Sequence, residues 1–474
     1  MVFNSLQFAV FFAVVYALYR ALPHRGQNVM LLAASYVFYG AWDWRFLGLL
    51  LGSTVIDFQV ARYISRQRAL PKRRLALLLS LVYNLGVLAI FKYFNFFADG
   101  LTRLFDLIGW HADPVTLNVV LPMGISFYTF MTISYVIDVY RDEIAAEDNL
   151  VDFALFVAYF PHLVAGPILR ASKLLPQIAH ARVLTREQNI EGVWLFGWGL
   201  FQKMFVADNL SAIVSSAYRP GSSASGAAVL AATYAFAFQI YGDFAGYSNM
   251  ARGISKLLGI ELNVNFRFPY FVTSPQEFWR HWHISLSTWL RDYLYIPLGG
   301  SRGSDAATSR NLMITMILGG LWHGAAWTFV LWGVYQGLAL VTGRSIAGWA
   351  ERRGMTVAPG LSWQRVALVV VMFHVTCFGW LIFRAESAAH IAELTVRIAT
   401  DLLPSLQTLP AVLGPVLLIV APLMIVHLYQ ARHGSESAPL QLVPPVRYAL
   451  YAGVFYLVLL FGSFEGAQFI YFQF

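Results

Sequence analysis

The chain has 474 residues, 58% hydrophobic and 12% charged, with a formal net charge of +8 and a single cysteine. Soluble domains carry about 25% charged residues, so half that load and a mean hydropathy of +0.59 point to lipid as the main solvent. The lone Cys377 excludes an intramolecular disulfide and a cysteine-rich metal site, and the basic surplus reads as membrane topology rather than a nucleic-acid surface.

A bilayer-crossing helix needs roughly 20 mostly apolar residues. Windows of that kind fall near 5–22, 28–43, 46–61, 75–97, 115–139, 150–166, 190–216, 226–250, 311–343, 364–384, 411–429 and 446–464. Glycine and proline interrupt several of them, so the expectation is an all-α polytopic membrane protein with about 11 crossings, the remaining windows being tilted, broken or re-entrant. The first window, "NSLQFAVFFAVVYALYRAL" (4–22), has no basic residue before it and no small-x-small site after it, which predicts a retained helix rather than a cleaved signal.

Next comes "ARYISRQRALPKRR" (61–74), with six lysines and arginines in one short stretch. The positive-inside rule places it in the cytoplasm, and three preceding crossings then put the N-terminus on the outer side. Arg344, Arg352 and Arg353 mark a second cytoplasmic loop. The connections around Pro23–Gly26, Gly221–Gly226 and His433–Pro445 are short, and no internal repeat appears, so one membrane domain over 1–474 is expected. The polar stretches 171–190 and 251–277 read as short interfacial segments, and Gly166–Pro167 within "PHLVAGPILR" (161–170) as a break or turn.

Polar residues inside apolar windows are expensive and need a partner, a watery cavity or a function. "MGISFYTFMTISYVIDVYR" (123–141) carries Ser126, Tyr128, Ser134 and Asp138, and "QIYGDFAGYSNMARG" (239–253) carries Gln239, Tyr241, Asp243, Tyr247 and Asn249. For the acids, pairing with Arg141, Arg252 or Arg280 is the expected role.

Two later stretches carry chemistry. In "SPQEFWRHWHISLSTWLRDYLYIPLGG" (274–300), helical spacing puts Phe278, Trp282, Leu286, Trp289 and Tyr293 on one side. Arg280, His283, Ser287 and Arg291 form one polar stripe, and His281, Ser285, Thr288 and Asp292 another. The whole reads as an amphipathic boundary helix, with His283 turned inward beside the two arginines as a site candidate. In "GGLWHGAAW" (319–327), His323 sits in a run without formal charge between Arg310 and Arg344. On a continuous helix its neighbours are Gly319, Gly320, Ala326 and Trp327. Three of the four have almost no side chain, so open space for a reacting group beside the imidazole is the expectation, ahead of two helices approaching closely. An uncharged environment favours a neutral imidazole, which can take a proton from a hydroxyl as a general base for acyl transfer.

Other chemistries are poorly served. His281 and His283 are two residues apart and point to different sides of a helix, and no cysteine or acidic pair completes a metal site with His323. P-loop, GxSxG, GxGxxG and HExxH signatures are absent.

"EFWRHWHISLSTWLRDYLYIPLGGSRG" (277–303) followed by "NLMITMILGGLWHGAAWTF" (311–329) resembles the membrane-bound O-acyltransferase superfamily, within it the membrane subunits of bacterial alginate O-acetyltransferases of the AlgI type. "LLAASYVFYGAW" (31–42), "LPMGISFYTF" (121–130), "SYVIDVYR" (134–141), "FPHLVAGPILR" (160–170), "YGDFAGYSNMA" (241–251) and the terminal "FIYFQF" (469–474) support it. The resemblance implies about 11 transmembrane helices with re-entrant helices around a central tunnel, a catalytic His323 from "LWHG" and a partner His283 from "WHIS". It also implies transfer from a cytoplasmic donor, acetyl-CoA, to an outer acceptor through a periplasmic SGNH-like partner, with no bound cofactor or metal. Trp279, Arg280, Ser287, Arg291, Asp292, Trp322, Tyr128 and Asp243 complete the candidate substrate and tunnel residues. D-alanyl-transferring relatives share both histidines but draw on a carrier protein, and relatives acting on peptidoglycan or cellulose carry similar motifs. A polysaccharide or acyl-intermediate transporter is the rival from another class.

Overall fold

The computed structural model describes residues 1–110, 116–117, 120–164, 166–354, 362–464 and 469–470, and no strand occurs among them. Of the terminal "FIYFQF", residues 471–474 lie outside the described residues. The chain folds into two compact units, Met1–Val193 with Ala251–Asn263, and Trp194–Met250 with Val264–Phe474.

Short polar side chains start many of the helices. Ser5, Asn149, Ser274, Ser304, Ser362 and Ser387 each accept a hydrogen bond from a first-turn amide, satisfying donors that have no intrahelical partner. The first unit contains α1 (Leu6–Ala21), α2 (His24–Asp43), α3 (Leu47–Arg66), α4 (Leu70–Leu88), α5 (Phe94–Leu107), α6 (Ile125–Tyr140), α7 (Leu150–Ala158), α8 (Phe160–Leu163) and α9 (Ala171–Ala179). Helix α10 (Arg186–Leu200) follows. The chain leaves helix after Leu163 and resumes it at Ala171, the break expected at Gly166–Pro167.

Polarity in this unit is arranged for lipid. Asp57 on α3 is fully buried and accepts from Ser80 Oγ (2.5 Å) and Asn84 Nδ2 (2.9 Å), both on α4. Ser53 Oγ donates to Asn84 Oδ1 at 2.7 Å. On α1, by contrast, Leu6, Val10, Val14 and Leu18 are exposed, while Phe8, Val15 and Tyr19 face inward. Apolar residues outside and hydrogen-bonded polar residues inside suit a hydrocarbon solvent, which offers backbone and side chains no partners.

The second unit holds α11 (Asp208–Ala217), residues 226–250 of α12 (Gly226–Leu257), α13 (Pro275–His281), α14 (Ile284–Leu290), α15 (Asp305–His323), α16 (Trp327–Arg352), α17 (Trp363–Arg384), α18 (Ala388–Ser405), α19 (Leu409–His433) and α20 (Pro444–Phe461). Helix α20 buries none of its residues and exposes Val446, Phe455, Leu459 and Leu460. Across the described residues, five helical stretches are long and apolar enough to cross a membrane: His24–Arg66, Leu70–Leu107, Trp363–Arg384, Ala388–His433 and Pro444–Phe461.

Two expected elements are divided. The window 311–343 is not one helix: α15 ends at His323, residues 324–326 are non-helical, and α16 starts at Trp327. The stretch 274–300 breaks as well, α13 ending at His281 and α14 starting at Ile284.

Helices α15 and α16 pack backbone to backbone. A Cβ at Gly320 would lie 2.2 Å from the Phe329 carbonyl oxygen, and one at Gly333 would lie 2.5 Å from that of Met316. Both obstacles are main chain, so neither can swing aside. Gly320→Ala is therefore expected to cost about 1–3 kcal/mol through overpacking, read as a lowered unfolding midpoint of the detergent-solubilised protein. An unchanged midpoint would show that the helices separate without penalty.

Candidate active site

His323 is the last residue of α15 and is 3% exposed. Its ring is enclosed edge-on by Trp322 (centroids 5.1 Å apart, 80°), Trp332 (5.1 Å, 88°) and Phe383 (5.5 Å, 78°). The glycines beside it are not empty space. A Cβ at Gly324 would fall 2.1 Å from the Phe329 ring, and one at Gly319 would touch Leu290. The open space expected beside His323 is thus replaced by close packing, because Phe329 and Leu290 occupy it. The break at 324–326 also removes Ala326 and Trp327 from the helix of His323, and Trp327 is 61% exposed.

His283 lies between α13 and α14 in the left-handed region, φ 43° and ψ 54°. An L-residue held there costs about 1–2 kcal/mol, so the surroundings must secure it. Asn265 does so from the preceding loop: its carbonyl oxygen accepts from Ile284 N (2.9 Å) and its Oδ1 from Ser285 N (3.2 Å). The turn drives the His283 ring into the interior, fully buried, against Phe244 (4.5 Å, 88°), Phe266 (6.5 Å) and Trp322 (5.9 Å). Burial lowers its pKa to about 3, so the ring is neutral at physiological pH and has one donor and one acceptor nitrogen.

The His283 and His323 centroids are 6.5 Å apart. Two hydrogen-bonded imidazoles would bring their centroids to about 5 Å, so the rings stand side by side rather than bonded to each other. Histidines separated by 40 residues in sequence thus meet in one aromatic chamber.

The remaining candidates scatter. Trp322 lies between the two histidines, and Trp279 packs on Trp332 at 5.8 Å. Arg280 and Arg291 are exposed, and Arg291 Nε pairs with Asp292 at 2.7 Å. Ser287 Oγ donates to the Trp282 carbonyl at 3.1 Å. Tyr128, on α6 of the first unit, is buried with no hydrogen-bond partner for its hydroxyl among the described residues.

Asp243 has an unexpected partner. It pairs with Lys203 at 2.7 Å, not with Arg141, Arg252 or Arg280, and Lys203 also reaches Asp208 at 2.8 Å. All three side chains are at most 5% exposed. Lys203 sits in a π-helical turn, Phe201–Ala207, a geometry often found where function requires it. The Ile470 amide donates to Asp243 Oδ2 at 2.6 Å, and Phe469 packs on Phe244, the residue against His283.

Sequence reasoning missed Lys203, Phe244, Phe266, Trp332 and Phe383. Lys203 was findable, because it is the sole charge between Glu191 and Asp208, the same signal that singled out His323. The aromatic residues carry no such mark in a chain that is 16% aromatic.

A family model for membrane-bound O-acyltransferases matches residues 140–383, a span containing both histidines. The protein named "Probable alginate O-acetylase AlgI" in Azotobacter vinelandii is 45% identical over 390 residues, covering 82% of this chain and 76% of that protein. The chain belongs to the membrane-bound O-acyltransferase family. It is therefore a multi-pass membrane enzyme that transfers acyl groups to oxygen. Other relatives include the peptidoglycan O-acetyltransferase of Helicobacter pylori, 35% identical over 386 residues (76% of this chain, 71% of that one). The teichoic acid D-alanyltransferase of Streptococcus thermophilus is 27% identical over 284 residues (55% and 68%).

Proposed function

We propose that the chain is an O-acetyltransferase of a bacterial inner membrane, N-terminus in the periplasm. It passes acetyl from cytoplasmic acetyl-CoA toward an outer acceptor for O-acetylation of an exopolysaccharide such as alginate. The observation that carries this reading is the meeting of His323 and His283 in one buried chamber, within a chain 45% identical to a protein named for alginate acetylation.

His323 acts as the general base. The acceptor hydroxyl gives its proton to the imidazole as its oxygen attacks the thioester carbonyl. The carbon–sulfur bond breaks, CoA leaves as thiolate and recovers the proton, and an O-acetyl ester remains. His283 orients the donor or acceptor by hydrogen bonding. Arg280 and Arg291, both exposed, lie at the cytoplasmic boundary, where guanidinium groups attract CoA phosphates. Acetyl-CoA is a substrate here and not a resident cofactor. A periplasmic SGNH-like protein offers the receiving serine and carries the acetyl group to the polymer.

The test is transfer of labelled acetyl from acetyl-CoA outside proteoliposomes to acceptors sealed inside, namely alginate oligosaccharides, peptidoglycan fragments or the periplasmic partner. Label on an internal acceptor is expected. Label on peptidoglycan fragments alone would move the polymer assignment to that of the Helicobacter relative. Internal accumulation of an acceptor without covalent change would favour a transporter.

A further inference from the structure

Trp332 on α16 is 1% exposed and packs edge-on to His323 at 5.1 Å. Phe383 (5.3 Å, 73°), Trp380 (6.1 Å, 18°) and Trp279 (5.8 Å, 69°) complete its ring surroundings. Among the described residues, neither the Trp332 nor the Trp279 Nε1 has a hydrogen-bond partner, although both atoms are buried.

That pairing is costly. An indole N–H is a donor only, most buried polar atoms find a partner, and leaving one unmade costs about 1–3 kcal/mol. A phenylalanine would supply an aromatic ring there with no donor to leave unsatisfied. Two unsatisfied donors on adjoining rings, one of them against the candidate base, mark a place where an acceptor arrives with the substrate. The reaction generates one there: when the hydroxyl oxygen adds to the thioester, the carbonyl pair moves onto oxygen as negative charge. Fixed donors around that oxygen are among the largest contributors to acyl-transfer rates.

We propose that the Trp332 indole N–H, assisted by that of Trp279, donates a hydrogen bond to the carbonyl oxygen of the acyl thioester and stabilises the oxyanion formed on it. This rests on the reading of His323 as the base. As the hydroxyl proton passes to His323, the new carbon–oxygen bond forms and the carbonyl oxygen takes the charge opposite Trp332. Collapse restores the carbonyl, expels CoA thiolate and returns the proton to it from His323. Trp332 is then a catalytic residue of the acyl-binding side, and its specificity is for a carbonyl oxygen rather than for the polymer.

The experiment measures CoA thiol release from acetyl-CoA by the full chain in proteoliposomes loaded with acceptor. Trp332→Phe keeps an aromatic ring and removes the donor. Genetic replacement of Trp332 by benzothienylalanine keeps the full indole shape with sulfur in place of N–H. Both are expected to lower kcat about 100-fold while leaving the KM for acetyl-CoA within threefold, and Trp279→Phe to lower kcat about tenfold. Wild-type kcat in the benzothienyl protein overturns the proposal, because Trp332 then acts through volume alone. A rise in KM with unchanged kcat also overturns it, since a donor to the oxyanion acts in the transition state. His323→Gln assayed in parallel separates the two readings: activity retained there removes the base assignment, whereas activity retained only in the benzothienyl protein removes only the donor.

Discussion

His323→Ala is expected to lower acetyl transfer about a thousandfold while the protein still inserts and folds. The magnitude follows from its proposed role: a positioned general base contributes about 10²–10⁴ in rate. The ring lies at the end of α15, 3% exposed among Trp322, Trp332 and Phe383, so water cannot readily substitute for it. Truncating a histidine there leaves a cavity between rings that pack on one another independently. Phe383, for example, also contacts Phe329 at 4.9 Å and Trp380 at 5.7 Å. Folding therefore survives while chemistry does not. The check is labelled acetyl transfer in proteoliposomes, alongside a monodisperse size-exclusion profile in detergent. Wild-type transfer by a well-folded His323→Ala protein would sink the assignment and favour the transporter reading.

Lys203→Met is expected to destabilise the protein by about 3–5 kcal/mol, the usual cost of removing one partner from a buried ionic group. Lys203 is the cation between Asp208 (2.8 Å) and Asp243 (2.7 Å), all buried. Methionine matches much of its volume but abandons two carboxylates a short distance apart. Part of the loss should fall on activity, because Asp243 precedes Phe244, whose ring meets His283 at 4.5 Å. The melting midpoint in detergent reads the stability term. The triple variant Lys203→Met, Asp208→Asn, Asp243→Asn removes the stranded charges and should recover most of the midpoint. A Lys203→Met protein as stable as wild type would mean that the cluster is not an ionic keystone of the second unit.

The chain's solvent and its two histidines were legible because both signals are local. A low charge content and recurrent apolar windows need no tertiary information, and the windows 364–384, 411–429 and 446–464 fall largely within α17, α19 and α20. An imidazole in a run without formal charge stands out on composition alone. The breaks were not legible. Helical periodicity continues through "RHWHIS" and "LWHGAAW", since nothing in residues 279–284 or 322–327 is proline, so pattern reading joined elements that the fold separates. Asn265, 18 residues before His283, supplies the hydrogen bonds that support its left-handed turn, and no spacing rule reaches that far.

The role of the glycines shows the same division. By itself the sequence determined that "GGLWHGAAW" puts small residues beside a buried histidine. Read locally they promise open space, but what fills that space arrives from elsewhere in the chain. The tertiary structure brings Phe329 and the α16 backbone against Gly320 and Gly324, leaving the walls of the chamber to Trp332, Phe383 and Trp322. Composition thus pointed to a membrane protein, and the motifs, by resemblance, to an acyltransferase with two candidate imidazoles. Packing between distant segments decided where those imidazoles point and which donors surround them, because side-chain contacts across long sequence separations leave no periodic trace.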